Sequence, residues 1–392
     1  MVSAGGAELV DSAADADVAV FNSCTVTRQA EADLRQQVRR AARSNPKLQS
    51  IVMGCAAARA PLQLRQLPTV SDVVPGADLQ AISAAIGLPA WHGVAAAAAQ
   101  RGTRGLLRIQ DGCDEHCTFC ATTLARGANR SRTIDAILDE AAELARHHPE
   151  IVLTGIHIGT YGADSGTTLG RLVTVLVRRV PAVRFRLSSV EATEVDAELA
   201  ELLTGAPMSV APYLHAPLQS GSDAVLRRMG RHWYSARQYA AAVTALVAKT
   251  PVFGLGADVI AGFPGETDAD HQATLALVAD LPFTGLHVFP YSPRPGTAAE
   301  RLAGSVPDDV RRARAAELRS LAAAKSAAYL ALRCGGQADV IVIGKADGDR
   351  DGLTEDYVAV NLEHPAPARG ARFRAVLAKS ASPHGLRAAP IA

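Results

Sequence analysis

The 392-residue chain lacks several features that define other protein classes. It has no run of eighteen or more apolar residues, and its N-terminus has no basic and then apolar signal, which predicts a soluble, cytoplasmic protein without a membrane partner. Six cysteines are too few for a disulfide scaffold of this length, so we expect ligands or buried thiols. A net charge of +1 argues neither for nor against nucleic acid, because a basic patch can be local.

Three of the cysteines stand together in the run Gly112-Cys-Asp-Glu-His-Cys-Thr-Phe-Cys120, directly after the strand-like stretch Leu106-Leu-Arg-Ile109. Their spacing is C-x3-C-x2-C. Three thiolates can hold three irons of a [4Fe–4S] cube and leave the fourth iron open, whereas a structural zinc or ferredoxin site normally needs a fourth protein ligand. The spacing therefore favours an open iron–sulfur cluster. A zinc knuckle with His116 as the fourth ligand is the alternative.

The order of apolar and polar stretches predicts an α/β protein with three domains, at residues 1–92, 101–333 and 337–392. The first alternates strands, at 17–21 and 51–53, with helices, at 30–42 and 77–86, as in a small parallel sheet. The second repeats a strand and a helix six times, with strands near Leu107, Val152, Phe185, Leu214, Val259 and Val288, which predicts an incomplete α/β barrel. The third shows short strands at 340–343, 357–360 and 373–376, which predicts a small antiparallel barrel.

Further motifs follow successive strands of the predicted barrel. Thr154-Gly155 ends the second strand, although alone such a pair is more often just a turn. Ser188-Ser-Val-Glu191 ends the third strand and alone is equally typical of a helix cap. Longer motifs occupy residues 215–223, 258–267 and 287–297. Loops after parallel strands form the active face of such a barrel, so these motifs mark its candidate site.

This ordered set resembles the radical S-adenosylmethionine (SAM) methylthiotransferases, and within that family most closely the tRNA N6-threonylcarbamoyladenosine methylthiotransferases. The resemblance rests on 22–27 (Asn-Ser-Cys-Thr-Val-Thr), 53–55 (Met-Gly-Cys), 153–157 (Leu-Thr-Gly-Ile-His), 186–191, 218–229 and 286–292, in addition to the three-cysteine run. It implies a flavodoxin-like N-terminal domain, a partial radical SAM barrel and a C-terminal RNA-binding barrel like the TRAM module.

The resemblance also implies roles for individual residues. Cys113, Cys117 and Cys120 would be the catalytic ligands of a [4Fe–4S] cluster that binds SAM, with Thr154, Gly155, Ser188, Glu191, Gln219 and Gly262 as SAM contacts. Cys24 and Cys55 would hold a second, auxiliary [4Fe–4S] cluster, and buried structural thiols are the alternative for this pair. Cys334 is expected to be a non-ligand.

Two departures from the family affect these expectations. Relatives have a third auxiliary cysteine in an N-terminal Gly-Cys-x-x-Asn turn, which this sequence lacks. Either the start codon was placed too late or the auxiliary site is incomplete. For the 392-residue form we expect a truncated N-terminal domain that holds the auxiliary cluster poorly, and therefore little methylthio transfer. Relatives also commonly have apolar residues and a Pro where this chain has Ala121-Thr-Thr-Leu124.

The implied reaction places a methylthio group on C2 of a modified adenosine beside the tRNA anticodon. Its partners would be tRNA and a reducing electron donor such as flavodoxin or ferredoxin. Basic clusters would contact phosphates, or else form ordinary solvated faces: residues 35–47, 126–132, 311–319 and Arg369, Arg372, Arg374 and Lys379. Alternative substrates are isopentenyladenosine in tRNA and an aspartate of a ribosomal protein. An inactive tRNA-binding protein that retains one cluster is a further alternative.

Overall fold

The computed structural model describes residues 6–23, 28–76, 78–89, 100, 102–343, 351–362, 367–380 and 385–391. The chain forms two compact units. The first comprises Met1–Ala99, Gly112–Ala128 and Ser292–Arg301, and the second comprises Gln100–Asp111, Asn129–Tyr291 and Leu302–Ala392. Within the described ranges, no helix is both long and apolar enough to cross a membrane.

The first unit contains a three-stranded parallel sheet in the order β1-β2-β3. Its strands are β1 (Val18–Ser23), β2 (Gln49–Gly54) and β3 (Val70–Pro75), and its helices are α1 (Arg28–Ser44), α2 (Cys55–Arg59), α3 (Pro61–Arg65), α4 (Leu79–Ala85) and α5 (Thr122–Arg126). Ile51 and Val52 of the central strand are both fully buried, on opposite faces, because Val52 packs with Leu34 and Val38 of α1 and Ile51 with Ile82 of α4. The predicted small α/β domain is confirmed.

The second unit contains six parallel strands in two sheets of three. They are β4 (Gly105–Arg108), β7 (Glu150–Thr154) and β8 (Arg184–Leu187), then β9 (Tyr213–His215), β10 (Gly254–Ala261) and β11 (Gly285–Pro290). Backbone bridges from Phe185 to Val210 and from Ser189 to His215 join β8 to the β9 side. A short hairpin, β5 (Gln110–Asp111) with β6 (Arg130–Ser131), follows β4. The six predicted strands and the incomplete barrel are therefore confirmed.

Seven helices of this unit connect or follow the strands in the described residues: α6 (Ile134–Leu144), α7 (Leu169–Arg179), α8 (Ala197–Gly205), α9 (Asp223–Arg228), α10 (Ala236–Val247), α11 (Asp268–Asp280) and α12 (Asp308–Arg333). Helix α6 buries Ile137, Ala141 and Leu144 along one face, as the apolar spacing predicts. Helix α12 packs against β10 and β11. One face of these strands is thus covered by helices, and the other face lines the barrel.

The chain ends in a closed five-stranded barrel in the order β12-β13-β14-β16-β15. Its strands are β12 (Gln337–Val342), β13 (Asp351–Leu353), β14 (Ala359–Leu362), β15 (Arg372–Lys379) and β16 (Leu386–Pro390). The predicted all-antiparallel pairing is corrected at one place, because β14 and β16 pair in parallel. The predicted strand at 357–360 is also shorter: Tyr357 has a φ of +70° and closes a turn with Thr354, so β14 begins at Ala359.

A buried ionic network connects this terminal barrel with the α/β barrel. Glu150, at the start of β7, accepts hydrogen bonds from the Nε atoms of Arg184 at 2.7 Å and Arg186 at 2.8 Å. Arg184 also donates to the Asp339 carboxylate at 2.9 Å, and Arg186 to the carbonyl oxygen of Thr354 at 3.1 Å. Burial alone would raise the pKa of Glu150, but the two guanidinium groups outweigh it and lower the pKa to about 2. Glu150 is therefore a buried carboxylate on which both barrels depend.

Replacing Glu150 by Gln should destabilise the second unit strongly, because it leaves Arg184 and Arg186 buried with no carboxylate between them. We expect a loss of about 3–5 kcal/mol in the free energy of unfolding, measured by urea denaturation. The exposed Glu201 of α8 offers a matched control, and Glu201→Gln should change stability little. Equal stability of the two variants would contradict this role.

The same network should produce an acid-sensitive stability. The folded-state pKa of Glu150 lies below its usual value of 4.5, so its stabilising contribution is complete above pH 4.5 and is lost as the pH falls toward 2. The urea concentration at the unfolding midpoint of the wild type should fall as the pH is lowered from 4.5 toward 2. In Glu150→Gln this fall should be smaller, because the carboxyl that causes part of it is absent.

Candidate functional site

The three-cysteine run forms an irregular loop of the first unit, between residues 112 and 121. Backbone hydrogen bonds fix its two ends: the Cys113 amide donates to the Gly127 carbonyl at 2.9 Å, and the Cys120 amide donates to the Cys117 carbonyl at 3.0 Å. Gly112 has a φ of +76°, and a Cβ there would lie 1.8 Å from the Ala128 carbonyl oxygen. Only glycine allows these two backbone segments to approach so closely.

The thiols of this loop are accessible. Cys113, Cys117 and Cys120 are all partly exposed, and none of them forms a disulfide in the described chain. Three thiolates in one loop are a donor set that can hold three irons of a [4Fe–4S] cluster and leave the fourth iron open.

Cys55 begins helix α2 of the same unit, directly after β2. The Ser23 hydroxyl, at the end of β1, accepts the Ala56 and Ala57 amides at 3.1 and 3.2 Å. Gly54 has a φ of +101°, and a Cβ there would lie 2.5 Å from the Ser23 carbonyl oxygen. These contacts hold the partly exposed Cys55 at the carboxyl edge of the sheet. Cys24, its predicted partner ligand, lies outside the described residues.

In the second unit, Thr154, Gly155 and Ser188 lie where the sequence predicts them, at the ends of β7 and β8. The Thr154 carbonyl accepts the Ile109 amide at 2.9 Å, and the Ser188 amide donates to the Leu153 carbonyl at 3.0 Å. The loop after Gly155 is held by Gln110, whose Oε1 accepts the Ile156 and His157 amides at 3.0 and 2.9 Å. Thr154 and Ser188 are partly exposed, so their side chains remain accessible to a ligand.

The other three predicted SAM contacts are engaged within the protein. Glu191 is buried and forms an ion pair with Arg231. Burial raises the pKa of Glu191 despite this arginine. Gln219 has a φ of +63°, an uncommon backbone conformation outside glycine, and its amide donates to the Asp258 carbonyl at 2.8 Å.

Gly262, the third of these contacts, has a φ of +73°, and the space beside its Cα is filled by Arg311. At Gly265, likewise, the Arg228 guanidinium occupies the side where a Cβ would stand. The structure thus provides a packing reason for both glycines, because arginine side chains of the same unit pack on them.

Three motifs of the sequence begin at His215, Asp258 and His287, but no role was predicted for these three side chains. The structure brings them together on β9, β10 and β11: His215 Nε2 lies 3.1 Å and His287 Nδ1 3.3 Å from Asp258 Oδ1. Burial would raise the pKa of Asp258, but the hydrogen bonds and charges of the two histidines lower it. The sequence feature that could have indicated this cluster is a single polar residue within each of three otherwise apolar strands.

Comparisons with known proteins identify the family of this chain. The family model of the radical SAM superfamily matches residues 107–278, and that of the uncharacterized protein family UPF0004 matches residues 1–76. The threonylcarbamoyladenosine tRNA methylthiotransferase MtaB of Thermotoga maritima is 36% identical over 75% of this chain and 71% of its own. The protein of the same name from Aquifex aeolicus is 32% identical over 91% of this chain and 90% of its own.

Among solved structures, the radical SAM methyltransferase TsrM from Kitasatospora setae, with cobalamin and a [4Fe-4S] cluster bound, has a TM-score of 0.56. It is 13% identical to this chain and matches 73% of this chain and 67% of its own. At this identity the similarity concerns the fold alone.

Replacing Gly112 by Ala should reduce the iron held by the cysteine loop, because the new methyl group overlaps Ala128. Gly166→Ala is a matched control: it has a similar φ of +73°, but no atom lies within 4 Å of its Cβ position. After anaerobic reconstitution, iron and sulfide analysis should show roughly half the iron or less in Gly112→Ala. An iron content equal to that of Gly166→Ala would show that the close approach does not position the cysteines.

Proposed function

Because the chain belongs to the threonylcarbamoyladenosine tRNA methylthiotransferase family of radical SAM enzymes, we propose that it adds a methylthio group to C2 of N6-threonylcarbamoyladenosine beside the anticodon of tRNA. The observation that carries this proposal is the loop of three accessible thiols at C-x3-C-x2-C spacing. An aromatic C–H has no acidic proton that an ordinary base can remove, so the difficult step needs a cofactor. A [4Fe–4S] cluster with SAM supplies radical chemistry when it is bound.

Residues of the chain position these groups. Cys113, Cys117 and Cys120 would hold the SAM-binding cluster as thiolates, and the backbone contacts of Gly112 and Cys113 keep the loop in one conformation. In the second unit, Thr154, Gly155 and Ser188 are the proposed SAM contacts with accessible side chains or backbone. Glu191, Gln219 and Gly262 would act mainly by fixing the loops that carry the contacts, since each is engaged within the protein.

A second cluster would be held at Cys55 and Cys24. The accessible thiol of Cys55 at a sheet edge supports this assignment, because strand ends present ligands in such folds. A small reducing protein of the flavodoxin or ferredoxin type would supply electrons, and a cytoplasmic location follows from tRNA as substrate.

RNA affinity would come from exposed basic side chains. Arg369, Arg374 and Lys379 of the terminal barrel are exposed, as are Arg39 and Arg40 of α1. Not every predicted basic cluster serves this purpose. Arg314 is buried against Glu266 at 2.8 Å and also pairs with Asp268, so it stabilises the protein itself.

Arg372 likewise bonds to Asp339 within the terminal barrel and to the Met208 carbonyl. Deleting the whole barrel would remove Asp339 and Asp356 from buried ion pairs and would confuse RNA binding with folding. Variants of exposed residues therefore test RNA binding more directly.

Replacing Cys113, Cys117 and Cys120 together by Ala should abolish formation of 5′-deoxyadenosine from SAM by dithionite-reduced protein. Cys334→Ala is the control, because this exposed thiol lies after α12 and is expected to be a non-ligand. In a strain that lacks the gene, mass spectrometry of tRNA nucleosides should show the threonylcarbamoyl nucleoside without its methylthio group. The wild-type gene should restore the product and the triple variant should not. Cleavage of SAM at the normal rate by the triple variant would refute the assignment.

Replacing Arg369, Arg374 and Lys379 by Gln should weaken tRNA binding and reduce its salt dependence. Each phosphate that the protein no longer neutralises lowers the slope of log K against log salt by roughly 0.7–0.9, so three such phosphates lower it by about two to three. Binding should be measured over a series of salt concentrations. Arg171, Arg178 and Arg179 of α7 are exposed and provide a control of equal charge change. Identical slopes for both triple variants would show that the terminal barrel does not contact phosphates.

A further inference from the structure

Three polar side chains of neighbouring strands form a cluster on one face of the β9–β11 sheet. Strand register sets this arrangement, because Gly256 pairs with His215 and Asp258 pairs with His287, so alternation along β10 brings all three to the same face. Asp258 Oδ1 lies 3.1 Å from His215 Nε2 and 3.3 Å from His287 Nδ1. The two imidazole rings are 5.2 Å apart.

The cluster lies on the face of the sheet that helices do not cover. The alternate residues Leu255, Ala257 and Val259 of β10 are fully buried on the opposite face, where α12 packs. In contrast, the side chain of Asp258 is 26% exposed and that of His287 is 69% exposed. A ligand inside the barrel can therefore reach the cluster without a change in the fold.

The site is built to keep these side chains in place. The Tyr213 hydroxyl lies 3.4 Å from His215 Nδ1, on the side of the ring away from Asp258. A Cβ at residue 256 would lie 2.6 Å from that hydroxyl and 2.8 Å from His215 Nδ1, so a glycine is required there. Asp258 Oδ1 accepts from one ring nitrogen of each imidazole, so His287 Nε2 and Asp258 Oδ2 are the polar atoms of the cluster that these contacts do not use.

The neighbouring floor of the barrel is positively charged. The Arg186 guanidinium lies over the rings of Tyr213 and Tyr357, at 5.7 and 5.1 Å, and its Nη1 is buried without a hydrogen-bond partner in the described residues. The ion-pair network contains four arginines, Arg104, Arg184, Arg186 and Arg372, and two carboxylates, Glu150 and Asp339. Arg333, Glu355 and Asp356 adjoin it through Asp339 and Thr354, so five arginines stand against four carboxylates. The remaining positive charge favours an anionic group over an apolar one.

We propose that His215, Asp258 and His287 form a recognition site for a ureido-carboxylate group, the chemistry of an N6-threonylcarbamoyl substituent on adenine. This inference rests on the proposed function and names the part of the protein that selects its substrate. His287 Nε2 is the proposed contact of the carboxylate and Asp258 Oδ2 the proposed acceptor of a ureido N–H, while His215 holds Asp258 in place. A prenyl substituent would offer these two atoms no hydrogen-bond partner while removing them from water, which would weaken its binding.

Equilibrium binding of anticodon stem-loop RNAs to the full-length, cluster-containing protein tests the proposal. One RNA carries N6-threonylcarbamoyladenosine, a second its methyl ester, a third N6-isopentenyladenosine and a fourth unmodified adenosine. The wild type should prefer the free carboxylate to its ester by about tenfold, as for hydrogen bonds to a charged group. His287→Gln is the main variant because its exposed side chain is not needed for folding, and Asp258→Asn is the second. His147→Gln, an exposed histidine of the outer surface, is the control.

The proposal predicts that His287→Gln and Asp258→Asn reduce the preference to within about twofold, without weakening the binding of unmodified RNA, and that His147→Gln retains it in full. Full preference in His287→Gln and Asp258→Asn would overturn it. Loss of the preference in EDTA with recovery on adding Zn2+ would also overturn it, because the three side chains would then act as metal ligands. If the wild type methylthiolates none of the four RNAs, the proposed function fails; if it acts on the first RNA and the variants keep their preference, only this inference fails.

Discussion

Glu150 stands at the start of the second barrel strand, where it receives hydrogen bonds from two buried arginines. Arginines are rarely buried without partners, because removing a charge from water is costly. The terminal barrel supplies what Glu150 alone cannot, since Asp339 and the Thr354 carbonyl take further N–H groups of Arg184 and Arg186. The floor of the α/β barrel, the docking of the terminal barrel and the charge below the inward-facing cluster thus depend on one carboxylate.

Most of the fold could be predicted from the sequence, because buried strands and amphipathic helices leave local apolar patterns in the chain. The central residues of buried parallel strands, such as Ile51–Met53 and Ile151–Leu153, are continuous apolar runs, and α6 shows apolar residues at helical spacing. The terminal barrel was harder to predict. Its strand β13 has only three residues, Asp351-Gly-Leu353, and β14 begins two residues late because the turn at Tyr357 uses a positive φ. Closure of the barrel, rather than local pattern, decides these pairings.

The candidate site could also be predicted only in part. The cysteine loop was predictable because the spacing of its thiols is local in the chain, whereas contacts between residues distant in the sequence were not. The pairing of Glu191 with Arg231 and the packing of Arg311 on Gly262 depend on tertiary structure. The cluster of His215, Asp258 and His287 needs the register of three strands, which is set by their connections and not by the motifs themselves.

The turn that carries Tyr357 belongs to the terminal barrel, yet its ring stacks on Tyr213 of the α/β barrel at 4.6 Å between centroids. The terminal barrel thereby contributes an aromatic ring to the neighbourhood of β9, the strand that carries His215. A chimera with a foreign terminal barrel would lose this ring together with the carboxylate of Asp339, so the two barrels have to be exchanged as one piece.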